Sequence, residues 1–283
     1  MTTDPDPMDL SILLPLFAQV GPGAALPQAP LEIPKLKQAK AKAEVPRGRL
    51  TQCLALIRSA PLEGLNTAEA WLAEAKGSAR SEPGECKGLA LTALGRWKEA
   101  AEVFAIAHDD TPLSKLALRA RRGAMAGNAA LAAGDTAAAL TAFDAAHAEA
   151  RRAKDTVIAG GIALDQARAL VALNRTEAAA AALAEARAVV PDTALTWLLS
   201  ATLSRRQGKL SEAQAQIERA AALAPKDPEI GLEAGVIAVL GSRDGAARRS
   251  WQAVIALAPD SQTAKTARGY LDQLGPEPQT EGR

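Results

Sequence analysis

Reactive side chains are scarce in this chain, and their spacing limits what chemistry they can do. Two cysteines, Cys53 and Cys86, and two histidines, His108 and His147, are spread through 283 residues. The cysteines stand 33 positions apart, which is not the spacing of a zinc knuckle. The histidines each follow an alanine (Ala107, Ala146) and invite reading as a metal pair. No cysteine or third histidine joins them, so a solvated outer face is the expectation. There is no Ser-His-Asp order and no phosphate-loop signature. Gly160-Gly161 opens a helical stretch without the preceding strand or third glycine of a dinucleotide site. The expectation is therefore a protein without catalytic residues, metal or cofactor.

The elements that hold these residues must be helices. Alanine, the best helix former, dominates the composition, and β-branched residues are thin. Apolar residues make up 48% of the chain but aromatics only 3%, so a core must come from small side chains and leucine. The balance of 33 basic against 32 acidic residues, net +1, supplies no field for a phosphate backbone, and nucleic acid is excluded as the main partner. Basic clusters at Arg119, Arg121 and Arg122, at Arg151, Arg152 and Lys154, and at Arg248 and Arg249 do not change that balance. No apolar run has the length of a membrane span.

A period of about 34 residues organises the helices. One copy reads Gly88, Leu91, Leu94, Gly95, Trp97, Ala100, Phe104, Ala107, Pro112. It predicts a helix ending near Gly95 and a second from Trp97 to His108, with Pro112 opening the next. The skeleton returns as Gly127, Gly134, Ala139, Phe143, Ala146, and as Ala167, Leu170, Asn174, Ala179, Leu183, Ala186, Pro191. It recurs as Trp197, Ala201, Gly208, Ala213, Ile217, Ala220, Pro225, and lastly as Gly235, Ala238, Ala247, Trp251, Val254, Pro259. One place is alanine in every copy (Ala100, Ala139, Ala179, Ala213, Ala247), and four positions later a large residue follows. Small places let two helices close, and the large residue fills the gap between neighbouring pairs. Trp71, Trp97, Trp197 and Trp251 fall at packing or turn places.

From Arg47 to Leu274 this skeleton resembles the tetratricopeptide repeat (TPR) family. The resemblance implies an all-α, right-handed superhelical solenoid of about six helix pairs plus a C-terminal capping helix. An Ala- and Arg-rich chain suits a bacterial source. Three departures stand out. Arg151 replaces the expected proline in one copy, the turn glycine of the last copy is displaced to Gly241 or Gly245, and the tyrosine common in the first helix is missing. A degenerate first pair fits Leu50 to Ser59 and Leu62 to Lys76, with Pro61 and Gly64 in the turn. Ala264, Ala267, Tyr270, Leu271 and Leu274 form the cap, stopped by Gly275-Pro276.

In this family the first helix of each pair lines a concave groove that takes peptide. The resemblance places Arg121, Met125, Asn128, Asp165, Arg168, Thr202, Arg205, Arg206, Glu229 and Glu233 there. Its centre is basic, its C-terminal part acidic, and Asn128 holds a place where an amide grips peptide backbone. Most Lys and Asn places of the carboxylate clamp of chaperone-tail-binding members are absent, so no chaperone partner is implied. The expected function is a protein–protein interaction scaffold binding a peptide or protein segment, with cell-envelope assembly as the setting if the chain is exported. The alternative is a non-catalytic structural or regulatory subunit of a larger enzyme complex.

Cys53 and Cys86, one residue short of a full period apart, occupy near-equivalent places on first helices of consecutive pairs. With helix axes about 8–10 Å apart, their Cα atoms can come within about 4–6 Å if both point into the seam. Two readings stand: a disulfide, or two buried thiols acting as small apolar side chains. The ends divide off. Residues 1–46 carry eight of the 17 prolines and read as extended or disordered, as does the tail 275–283. Leu10 to Val20, followed by Gly23-Ala24-Ala25, resembles a secretory signal. Asp4, Asp6 and Asp9, the lack of a preceding Lys or Arg, and Pro15 argue against it. Lys35, Lys37, Lys40 and Lys42 read as a solvated linker. The compartment is periplasmic if that segment is a signal and the cysteines are bridged, and cytoplasmic otherwise.

Overall fold

The computed structural model describes residues 48–275, so the signal-like stretch, the lysine run and the polar tail lie outside the described residues. The described part holds thirteen α-helices and no strand. They are α1 (Arg49–Ser59), α2 (Pro61–Glu74), α3 (Ser81–Ala93), α4 (Trp97–Asp109), α5 (Leu116–Ala132), α6 (Thr136–Arg152) and α7 (Thr156–Ala172). The rest are α8 (Thr176–Val189), α9 (Ala194–Arg206), α10 (Leu210–Leu223), α11 (Pro228–Leu240), α12 (Asp244–Leu257) and α13 (Gln262–Leu274). Two compact units divide the chain within α6, between Ala142 and Phe143.

In the first unit each helix packs on its neighbours in sequence. Leu65 of α2, Ala90 and Leu91 of α3, Ala100 and Phe104 of α4, and Ala126 and Ala129 of α5 form one apolar cluster. The contact that brings α3 and α4 together is steric. A Cβ on Gly88 would overlap the Phe104 ring, and one on Gly84 would press on Ala107. Gly64 does not lie in the first turn, as its sequence context suggests. It sits inside α2, where a Cβ would overlap Ile57 of α1, and Ala60 alone connects the two helices. Cys53 of α1 and Cys86 of α3 lie with their sulfur atoms at bonding distance and their Cα atoms 6.2 Å apart, within disulfide range.

The second unit repeats the scheme. Leu198 and Ala201 of α9, Ala213, Ile217 and Ala220 of α10, and Ile230 and Ile237 of α11 cluster together. Trp251 of α12 lies against Gly235 of α11, where a Cβ would collide with the indole nitrogen. The indole donates to Leu232 O at 3.1 Å, and its ring stands 5.3 Å from that of Tyr270 on α13. The recurring alanines Ala179, Ala213 and Ala247 are all fully buried. Large and small places thus meet within a pair as well as between pairs.

Turn chemistry explains how the pairs reverse. Gly95, Gly134, Asn174, Gly208 and Ser242 all have positive φ, and each stands five residues before the recurring alanine. The residue after each donates its N–H back into the preceding helix, as Arg96 does to Leu91 O and Arg243 to Ala238 O. That left-handed closure satisfies carbonyls a helix end would otherwise leave unpaired. In the last copy Ser242 takes this role (φ 55°), not Gly241 or Gly245. Helix lengths absorb the insertions of the central copies. The helices α5, α6 and α7 have 17 residues each, against 13 for α9 and 14 for α10. Where Arg151 stands in place of proline, α6 continues to Arg152 and closes through Lys154 (φ 57°). Pro112 lies in a loop, and α5 begins only at Leu116.

Two outcomes follow in chemical denaturation. Gly235→Ala should cost about 1–3 kcal/mol by overpacking, and clearly less when Trp251→Leu is already present, because the shorter side chain vacates the space. Ser242→Gly should stabilise by up to about 1 kcal/mol, since an L residue in the left-handed region is strained and glycine is not.

Candidate peptide-binding surface

In the first unit, Arg121, Met125 and Asn128 fall on one side of α5. Arg121 is exposed, and the other two are half-buried. The neighbouring arginines are structural. Arg122 pairs with Glu85 of α3 (Nη2 to Oε2 2.8 Å) and donates to Thr111 Oγ1 at 2.6 Å. Arg119 donates to the carbonyls of Thr111 (2.8 Å) and His108 (3.0 Å) at the end of α4. What reads as a basic cluster is therefore one projecting cation above two that tie α5 to the preceding connection.

In the second unit the residues separate into surface and interior. Arg206 and Glu229 are exposed, and Asp165 and Arg168 are part-exposed and linked by a 3.4 Å ion pair along α7. Loss of hydration, and secondarily the adjacent Asp227, raises the Glu229 carboxyl above its ordinary pKa. Three expected groove residues are not surface groups. Thr202 is buried and donates to Leu198 O at 3.1 Å. Glu233 is wholly buried and accepts from Arg205 at 2.7 Å, the two side chains being 0% and 8% exposed. Those two cannot contact a groove ligand, because a buried charge without its partner is strongly unfavourable. They join α9 to α11, and they also act on Tyr270 of α13. Burial, the largest influence, raises the Tyr270 pKa, Arg205 opposes it and Glu233 adds to it.

The histidines are not on a solvated face. Their side chains are 15% and 14% exposed, with His108 Nδ1 2.8 Å from Asp109 and His147 Nε2 2.9 Å from Glu185. Sequence reasoning missed one arrangement. Arg187 of α8 donates to Ser200 Oγ at 2.6 Å, and its guanidinium lies 5.7 Å from the Trp197 ring. Burial, offset in part by Glu212, lowers its pKa. The indole of Trp197 donates to Pro191 O at 2.7 Å. The combination of an aromatic early in α9 and an arginine late in α8 was the available signal.

No family model matches the sequence, and no curated protein does. Solved structures do match. PilW, a widely conserved type IV pilus biogenesis factor, aligns over 77% of this chain and 96% of its own, with 16% identity and a TM-score of 0.65. PilF of Pseudomonas aeruginosa aligns over 78% and 95%, at 12% identity and 0.64. YrrB, a TPR protein with an unusual peptide-binding site, aligns over 71% and 99%, at 20% identity and 0.52. The fold is the tetratricopeptide-repeat fold. Within this TPR fold, α3, α5, α7, α9 and α11 are the first helices of successive pairs, and the candidate surface residues lie on four of them.

The interior ion pair gives a sharp expectation. Glu233→Leu alone should cost about 3–5 kcal/mol by stranding the Arg205 charge. Adding Arg205→Met should recover a large part of that loss, in denaturant melts of the single and double variants. Equal loss in both would remove the pair from the packing account.

Proposed function

We propose that the protein is a non-catalytic interaction scaffold that captures a peptide or protein segment on the first helices of its repeats. The observation that supports this most directly is the α5 face. Arg121, Met125 and Asn128, at helical spacings of four and three, set a cation, an adaptable thioether and a carboxamide side by side. An amide that can both donate and accept suits an extended backbone of any sequence, and the arginine adds preference for a carboxylate. The second unit, taken by itself, presents Arg168, Arg206 and Glu229 on its own first helices. The setting we favour is cell-envelope assembly, in keeping with the pilus biogenesis factor among the similar structures.

The test begins with partner capture and mass spectrometry, followed by calorimetry of the captured segment against purified protein over a range of salt. Arg121→Glu lies on the surface and should leave the fold intact. It should weaken binding about tenfold or more and flatten its salt dependence. Unchanged affinity and slope would remove α5 from the binding surface.

A further inference from the structure

We infer that the Cys53–Cys86 bond is the principal anchor of α1, so that the redox state of this pair decides whether the first helix stays docked on α3. Besides that bond, α1 is held mainly by contacts at its surface, among them the Arg49 guanidinium 4.9 Å from the Trp71 ring of α2. Of its eleven residues only Cys53 is buried. Its N-terminus has no side-chain cap, and a helix this short is marginal in water without tertiary support. The Arg49–Glu74 ion pair joins two mostly exposed side chains, and such pairs hold weakly. Leu50 and Ile57 are only partly buried: both lie around the small cluster of Cys53, Ala68 and Cys86, and Ile57 also reaches the edge of the main cluster.

Its partner α2 is held differently. Leu65 of α2 enters the main cluster with Leu91 and Phe104, so apolar burial fixes α2 whatever the state of the sulfurs. The bond therefore acts on one helix and not on the unit. Both sulfurs are buried with their residues, and a reductant reaches them only through local opening of α1. A small dithiol then attacks one sulfur as its thiolate, releasing the other as a protein thiolate that takes up a proton. The second reductant thiol closes on the mixed disulfide. The protein gains two thiols, and the reductant leaves as a cyclic disulfide. The freed α1 loses the loop constraint that opposed its departure. Such an arrangement keeps the first helix ordered in an oxidising compartment and releases it in a reducing one.

Hydrogen exchange of the full chain, read by mass spectrometry before and after dithiothreitol, tests this, with alkylation counting thiols in each state. We expect no free thiol before reduction. Afterwards, exchange across Arg49–Ser59 should quicken at least tenfold, while α2 and α7 to α13 change less than twofold. The Cys53→Ser, Cys86→Ser double variant should match the reduced protein without any reductant, and α7 to α13 report whether it folds. Two free thiols in the air-oxidised protein, equal α1 protection in both states, or an equal loss across α1 to α5 would each overturn the inference.

Discussion

The contact on which the repeats depend is the one between the small place on a first helix and the large residue on its second. Where the large residue is aromatic, the small place is glycine: Gly88 with Phe104 in the first unit and Gly235 with Trp251 in the second. Where it is Leu183 or Ile217, the small place is Ala167 or Ala201. The bulkier residues on second helices thus face the smallest places on the first. Interiors are packed too densely to accept an extra methyl group without movement, so each pair meets this constraint internally. That is why the copies can differ so widely in sequence, and why a chain with few aromatics can build the interior of each unit.

The outermost described helix of each unit, α1 in the first and α13 in the second, is held by different means. At the C-terminus α13 lays Ala264, Ala267 and Tyr270 down as a buried stripe, with Tyr270 against Trp251. Apolar burial is enough there. At the N-terminus α1 offers one buried residue, and that residue is a cysteine joined across to α3. A covalent link stands where packing is thin.

Spacing carried much of the fold into view. The count of helices, the buried alanines and the boundaries of α4 follow from a period in which residue size repeats, whereas Pro112 and Gly64 misplaced two others. Ser242 escaped because the left-handed turn is set by distance from Ala247, and residue type pointed to the nearby glycines instead. The surface was harder to read than the core. Repeat register says which helix face a residue occupies, not how deeply a neighbouring pair covers it. Arg205 and Glu233 sit 28 positions apart, and only their mutual approach in space reveals a buried pair. Arg119 and Arg122 look like surface charge in a sequence because the carbonyls and hydroxyl that satisfy them are not visible there.

Helix α9 shows how such an interior can tolerate polarity. Ser200, Thr202 and Ser204 are all buried on it. Ser200 and Thr202 return their hydroxyls to carbonyls one turn back, at 2.8 and 3.1 Å. Ser204 donates to Gln216 of α10, and Ser200 also receives Arg187 from α8. Paired hydroxyls of this kind add little net stability. Displacing them, however, leaves unsatisfied groups, so the penalty falls on every wrong docking of α8 or α10 against α9. Alanine faces alone would slide, since small side chains offer few ridges to interlock. Directional bonds from α9, together with the Arg205–Glu233 pair to α11, supply the register that the small residues lack. The arginines used this way are withdrawn from ligand binding, whereas Arg121 stays exposed on α5.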